Sequence, residues 1–313
     1  MPELPEVETT RRDLAPRIIG RAITAVWMAD PGPLRHVVPP RPEARGPGVP
    51  GLDTAGRGPQ VPLSIEQLRA ALVGRRIEGL DRRGKYLILA LSGGLFLILH
   101  RRMTGNLVLA RPQDPPGRHL RAVIALDNDL ELRWEDQRRL GTWTLCTDPA
   151  VALRGLGPEP LAPGWSVAEL AAALRGRRAP VKAVLLDQRR VAGLGNIYTD
   201  EALHRAGIHP ARPAGSLRLE EVERLHAAVR AVLEQAIRLQ GSSARHHVGG
   251  LGQRGTMQEE WRVYGRAGLP CPACGTPVQK VRIAGRGTHL CPRCQPPDVS
   301  PGCPAGEKEV AHV

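Results

Sequence analysis

The spacing of apolar positions changes once along this chain. Up to residue 148 they fall in short runs bounded by turn residues; beyond it they recur at helical intervals. In the first part, residues 86–91 and 95–99 flank Ser92-Gly93-Gly94, and 121–127 and 130–134 flank Asn128-Asp129. Both pairs read as β-hairpins, with 142–146 as a further strand. A helix over 5–15 precedes them, with Pro5 at its first position and Glu6 and Glu8 in its first turn. A second helix covers 64–73, opened by a Ser64/Gln67 capping box. In the second part Ser166 and Glu169 cap a helix to about 175. Residues 181–188 and 196–206 read as helices joined by Ala192-Gly193-Leu194-Gly195. Residues 217–239 form a long amphipathic helix with Leu217, Val222, Leu225, Val229, Val232 and Ala236 on one face.

The expected organisation is α+β: a mostly β unit over 1–148 and a helical unit over 149–240. Residues 31–62 are rich in Pro and Gly, lack periodicity and read as a flexible insertion. Residues 241–260, rich in Gly, His and Arg in their first part, read as a mobile loop. A cysteine-bearing hairpin follows over 261–295, and 296–313 read as a disordered tail holding the unpaired Cys303. There are no internal repeats.

At 313 residues the chain has room for about two domains of ~150 residues and buries enough surface to need no disulfide framework. No apolar run approaches ~18 residues, so no membrane span is expected. The N-terminus is acidic and unlike a signal peptide. Four of the six cysteines share one metal-type spacing, which suits a reducing compartment, and a bacterial cytosolic protein is the reading. The net charge of +13 points to a polyanionic partner or to arginine-rich codon usage; composition leaves both open.

The strongest local motif is Cys271-x2-Cys274-x16-Cys291-x2-Cys294. Four thiolates at this spacing close a tetrahedral site with no open position, so the expected zinc is structural. Between the pairs, the glycines of Gly285-Arg286-Gly287 permit a tight tip that brings Arg286 against a backbone or a phosphate, or leaves it solvated. The second notable feature is Pro2. If Met1 is removed, Pro2 becomes a free secondary amine beside Glu3. An α-amino group has a pKa near ~8, so roughly a tenth is neutral at pH 7, and a weakly basic amine suits Schiff-base chemistry. The positive end of the helix at 5–15 would further disfavour the ammonium form. Other candidates are weaker alone. The loop at 192–195 opens a helix and can present N–H groups to an anion. Lys182 and Lys85 suit phosphate contacts or a solvated surface. Met103 suits core packing, and Glu135-Asp136-Gln137-Arg138-Arg139-Leu140-Gly141 suits a charged hairpin loop.

Taken in order, Met1-Pro2-Glu3-Leu4-Pro5-Glu6-Val7-Glu8, Arg83-Gly84-Lys85-Tyr86-Leu87, Met103-Thr104-Gly105, Asp136-Gln137-Arg138-Arg139-Leu140-Gly141, Gly193-Leu194-Gly195-Asn196-Ile197-Tyr198, Val263-Tyr264-Gly265-Arg266 and the four-cysteine hairpin resemble the formamidopyrimidine-DNA glycosylase family over residues 1–295. The related endonuclease VIII group usually has glycine where this chain has Leu4. The resemblance implies an N-terminal two-layer β-sandwich, a helical domain with a helix–two-turns–helix, a zinc finger, and damaged double-stranded DNA in the basic cleft between them, bound by a monomer. It implies a bifunctional glycosylase and lyase of base-excision repair for 8-oxoguanine and formamidopyrimidines. Pro2 would be its nucleophile, Glu3 its general acid, Glu6 a support for the N-terminal turn, and Lys85 a phosphate contact. Lys182, Asn196 and Arg286 would form a phosphate clamp with Tyr264 near it. Met103, Arg138 and Leu140 would fill the gap left by the everted nucleotide. The loop at 241–260 would be the lid that closes over the damaged base. Leu140 departs from the family's phenylalanine, and the insertion, the tail and the lid segment 242–247 are further departures. Two other readings remain: an endonuclease VIII-like preference for oxidised pyrimidines, and a non-cleaving sensor of DNA damage. The family setting adds a nucleoid association to the cytoplasmic reading.

Overall fold

The computed structural model describes residues 1–32, 34–37, 60–243 and 247–297. The chain opens with α1 (Leu4–Ile18), followed by β1 (Ile23–Met28), β2 (Leu34–Val37), β3 (Gln60–Pro62) and α2 (Ile65–Leu72). Then come β4 (Ile77–Arg83), β5 (Tyr86–Leu91), β6 (Leu95–His100), β7 (Gly105–Ala110), β8 (Leu120–Leu126), β9 (Glu131–Asp136) and β10 (Thr142–Cys146). One sheet has the order β1-β8-β9-β7 and the other β3-β2-β10-β6-β5-β4. β10 runs parallel to β2; the other neighbours are antiparallel. Alternation sends Leu87, Leu89 and Leu91 of β5 inward. They meet Leu97, Leu107, Ile124 and Leu132 in a core shared by both sheets, where Trp134 and Trp143 pack edge to face at 5.8 Å.

The second half holds α3 (Pro149–Ala152), α4 (Val167–Leu174), α5 (Val181–Leu186), α6 (Asn196–Ala206) and α7 (Leu219–Arg238), then the hairpin β11 (Gln279–Ile283) and β12 (Arg286–Leu290). α7 turns Val222, Leu225, Val229, Val232 and Ala236 onto a core completed by Leu170, Leu185, Tyr198 and Leu203. α6 is enclosed so fully that Thr199, Asp200, Glu201 and His204 are buried along with its apolar residues. Gly207, at φ 69°, ends α6 in the left-handed conformation that favours glycine.

α1 belongs to both halves. Leu4 packs in the helical core, whereas Val7, Leu14 and Ile18 pack in the sandwich core. Charges reinforce the join: Glu8 accepts from Arg11, Arg12 and Arg82, and Arg82 reaches on to Glu159 beyond α3 at 2.8 Å.

Several elements differ from expectation. The proposed insertion at 31–62 is not all irregular: its ends pair as β2 and β3, with β3 and its Pro62 on the sheet edge, where proline is tolerated. Residues 33 and 38–59 lie outside the described residues, as do 298–313 with Cys303. α1 runs on through Pro16 in its last turn, where the ring removes one i→i−4 bond, and the helix ends two residues later. β1, β4 and β7 were not anticipated. Glu78, Asp81, Arg82 and Arg83 mask the alternation of β4, and glycine opens β7. The described part of 241–260 is anchored rather than free. Gly250 accepts from Leu109 N–H at 2.8 Å, its own N–H donates to Asp13, and Met257 is buried in a helical turn at Met257–Glu260. Residues 244–246 lie outside the described residues.

The Glu8 cluster makes stability depend on acid. Burial alone would raise the Glu8 carboxyl, but hydrogen bonds from Arg11 and Arg12 outweigh it and hold the group at about 2. Its contribution is therefore complete above the ordinary glutamate range and is lost as pH falls toward 2. Thermal melts should show Glu8→Gln less stable at pH 7 by about 1–3 kcal/mol, a gap that narrows below pH 4.

Candidate active site and zinc hairpin

The site starts at Glu3, the residue before α1. Its backbone N–H donates to Glu6 Oε2 at 2.8 Å, which fixes the first turn. Its carboxylate reaches the N-terminus of α6, nearly two hundred residues away, where Gly195 N–H donates at 2.7 Å and Ile197 N–H at 2.9 Å. Open N–H groups at a helix start favour a carboxylate there. The glycines make the approach possible. A Cβ on Gly195 would overlap the Glu3 carboxyl, and Gly193, at φ 95°, lies against Leu4 while its carbonyl accepts Leu4 N–H at 3.1 Å. Burial pushes the Glu3 carboxyl up to about 7, against the opposing pull of Lys85 and of the Ile197 N–H.

Glu6 is tied as closely. It accepts from Tyr198 Oη and from Ser242 N–H at 2.8 Å, and Ser242 Oγ lies 3.2 Å from the same phenol. The Tyr198 hydroxyl keeps its proton because burial, seconded by Glu6, raises its pKa well above the usual range. Pro2, next to Glu3 in the chain, is buried, while Met1 is exposed. Lys85 follows Gly84, which takes φ 56°. Its side chain is buried and its ammonium makes no hydrogen bond among the described residues. Burial lowers its pKa, Glu3 and Glu6 raise it, and Arg286 lowers it, so these four charges share one locale.

The hairpin is clamped onto α5 and α6. Lys182 Nζ lies 2.6 Å from Asp200 and donates to the Gly287 carbonyl and to Thr288 Oγ1; Asp200 also accepts His289 N–H at 2.9 Å. Asn196 donates to the Gly287 carbonyl at 2.9 Å. Lys182 is thus fully enclosed, its charge paired with Asp200 of α6 and its other donors on the hairpin. The tip itself is Ala284-Gly285, both left-handed, and Arg286 follows as an exposed side chain. Tyr264 packs edge-on against His289 at 5.0 Å, and Glu201 accepts three consecutive N–H groups from Arg262, Val263 and Tyr264.

Behind the tip, the Sγ atoms of Cys271, Cys274, Cys291 and Cys294 lie within 4.8 Å of one another, with Cys271–Cys294 at 3.9 Å and Cys274–Cys291 at 3.4 Å. A tetrahedron with zinc–sulfur bonds of about 2.3 Å has edges of ~3.8 Å, so the set fits one structural zinc with no open position. His204 of α6 sets Nε2 3.4 Å from Cys271 Sγ and joins the metal knuckle to the same helix.

Two surface turns stand together on the sandwich. Met103 and Leu140 are 41% and 43% exposed, and Arg138 is exposed beside them. Asp136 joins the turns: it accepts Thr104 Oγ1 at 2.5 Å, Arg138 N–H at 3.2 Å and Gly141 N–H at 2.8 Å. Met103 is therefore not the core residue its type suggested. Sequence reasoning passed over Asp136 as a separate contributor, and it passed over Arg101, a buried guanidinium between α1 and the segment at 247–248. No pattern marks either residue, because Thr104 lies 32 positions from Asp136 and Thr10 and His247 lie 91 and 146 from Arg101.

Comparison with known proteins matches this architecture piece by piece. Residues 1–58 and 53–143 match the formamidopyrimidine-DNA glycosylase N-terminal domain, 156–248 the H2TH domain of the same enzymes, and 268–297 a zinc finger found in FPG and IleRS. Formamidopyrimidine-DNA glycosylase of Moorella thermoacetica is 47% identical over 90% of this chain and 95% of that protein; the Geobacillus kaustophilus protein of the same name is 43% identical over 90% and 94%. Among solved structures, the Lactococcus lactis enzyme bound to abasic-site DNA is 37% identical, with a TM-score of 0.80 over 94% of this chain and all of that one. A complex of a Lactococcus lactis variant with a Fapy-dG containing DNA gives 37% and 0.80 over 95% and 100%. These likenesses put the fold among the zinc-bearing DNA glycosylases. The chain belongs to the formamidopyrimidine-DNA glycosylase family.

Two substitutions probe the geometry. Gly195→Ala should displace the Glu3 carboxylate and lower DNA-processing activity at least about tenfold while the zinc content stays at one per chain, measured by kinetics and metal analysis. Cys271→Ser should lose the zinc and weaken DNA binding together, seen by metal analysis and a binding titration.

Proposed function

We propose that this chain excises oxidised purines, 8-oxoguanine and formamidopyrimidines, from double-stranded DNA and then cuts the strand, with Pro2 as the nucleophile. The observation that carries this reading is Pro2 buried next to a carboxyl held near neutrality, beside a lysine with no hydrogen-bond partner among the described residues. Removal of Met1 makes the Pro2 nitrogen a secondary amine. Its lone pair forms a bond to C1′ of an everted nucleotide; the bond from C1′ to the base breaks, and its electron pair leaves with the base, which takes up a proton. Glu3 protonates the ring oxygen as the sugar opens, leaving an iminium on C1′. Loss of the 2′ proton then expels the 3′ phosphate, and a second elimination expels the 5′ phosphate.

Lys85 and Arg286 supply unspent positive charge for the backbone phosphates, and Asn196 braces the tip that carries Arg286. Lys182 serves this arrangement from behind by fixing that tip. Tyr264 stabilises the same hairpin through His289. Met103, Arg138 and Leu140 stand together and exposed, a shape suited to entering the duplex where a nucleotide has left, with leucine as the apolar wedge. The protein acts as a monomer in the bacterial cytoplasm, on the nucleoid. No described helix is long and apolar enough to cross a membrane. A second reading has one observation in its favour: the wild-type Lactococcus lactis enzyme, 38% identical with a TM-score of 0.79, has been crystallised with an oxidised pyrimidine containing DNA.

Borohydride trapping on duplexes carrying 8-oxoguanine or an oxidised pyrimidine tests both readings. A covalent adduct should form fastest with 8-oxoguanine, and Pro2→Gly should lose most of it. Adducts only on the pyrimidine duplex would favour the second reading, and none on either would leave a non-cleaving binder. The rate should also fall as pH rises through about 7, because Glu3 must carry a proton to donate it. Glu3→Gln should slow turnover by ~10²–10⁴ and flatten that alkaline limb.

A further inference from the structure

Arg101 is buried, yet none of its bonds goes to a carboxylate. Its Nε donates to the Gly105 carbonyl at 2.8 Å, Nη1 to Thr10 Oγ1 at 2.7 Å, and Nη2 to Asn106 Oδ1 at 2.6 Å. The same Nη2 lies 2.8 Å from His247 Nδ1. A guanidinium only donates, so Nδ1 must accept, and the proton of a neutral imidazole must sit on Nε2. A doubly protonated ring would point an N–H at the guanidinium. Burial, the Arg101 charge and the charge of the amino terminus all oppose it and hold His247 well below its usual pKa. Arg101 itself is lowered only to about 10, by burial, so it stays charged at neutral pH.

The Nε2–H thus fixed is buried and finds no hydrogen-bond partner among the described residues. A buried donor left unpaired costs free energy and marks a place where a ligand atom can satisfy it. Arg101 Nη1 also lies 3.4 Å from the Glu6 carbonyl in the first turn of α1, so the imidazole that Arg101 holds lies beside the turn that Pro2 and Glu3 lead into. Its uncharged donor does not suit a phosphate, for which Lys85 and Arg286 stand ready. A carbonyl oxygen or unprotonated ring nitrogen of a base does suit it.

We propose that His247, held as the Nε2–H tautomer by Arg101, donates a hydrogen bond to an acceptor on the everted base and helps select base-bearing lesions. This rests on the reading of the chain as a glycosylase and lyase. It assigns His247 a contact with the substrate base and Arg101 the role of a positioning residue.

The two half-reactions separate this role from a structural one, because an abasic site has lost the base. His247→Phe keeps the ring and loses the donor; His247→Gln keeps an N–H near Nε2. Single-turnover base release from an 8-oxoguanine duplex should fall about tenfold in His247→Phe, the worth of one hydrogen bond, and recover in His247→Gln. Strand cleavage at a preformed abasic site should change less than about twofold in both, on the same scale. Arg101→Met should follow His247→Phe on the 8-oxoguanine duplex. If that variant unfolds, the His247 pair decides alone. Base release unaltered in His247→Phe, or both half-reactions falling together without rescue by His247→Gln, overturns the assignment. If wild-type protein cleaves neither duplex, the glycosylase and lyase reading itself fails.

Discussion

The structure depends on one contact, the Glu3 carboxylate on the open N–H groups that start α6. This contact does three things at once. It closes the β-sandwich onto the helical half through the first residues of the chain. It buries a carboxyl at a helix N-terminus, where loss of water raises its pKa and the N–H donors restrain that rise. It also leaves Pro2 with no freedom to wander, because Leu4 on the other side of Glu3 is locked into the helical core and bonded to Gly193. Gly193 and Gly195 are required because a Cβ at either position would occupy the space that Leu4 and Glu3 fill.

α6 works as a polar spine. Asp200 holds Lys182 and the β12 backbone, Glu201 gathers the three N–H groups that lead toward the zinc knuckle, and His204 lies against Cys271. Lys182, Asp200 and Glu201 would each be costly if buried alone; their bonds to one another and to the backbone offset that, and they fix the hairpin that carries Arg286. The zinc stabilises a small hairpin with little core of its own, where Val263 and Val278 cluster with the cysteines. The cysteine cluster, the hairpin and the Glu3 carboxyl are in this way joined through α6.

Much of this was legible in the sequence because it is local. The two hairpins at 86–99 and 121–134, the capping boxes at Ser64 and Ser166 and the amphipathic face of α7 all announce themselves within a few residues. The cysteine spacing pointed to zinc, and Pro2-Glu3 drew attention to the start of the chain, which the structure buries. What stayed hidden depends on distant partners. The enclosure of Lys182 follows from Asp200 and Gly287, the anchoring of 247–250 from Asp13 and Leu109, and the pairing of Arg101 with His247 from a fold that joins positions 146 apart. Charged strands such as β4 escaped for a related reason: Arg82 and Arg83 are polar in sequence but are paired with Glu159 across the interface.

The central claim is that the mature N-terminal nitrogen forms the bond to deoxyribose. Protease digestion of a borohydride-reduced adduct, followed by mass spectrometry of the nucleopeptide, reads the attachment point directly. The account predicts a sugar remnant on Pro2 in a peptide that lacks Met1. A remnant on Lys85 or another lysine, or fully active protein that retains Met1, would contradict it.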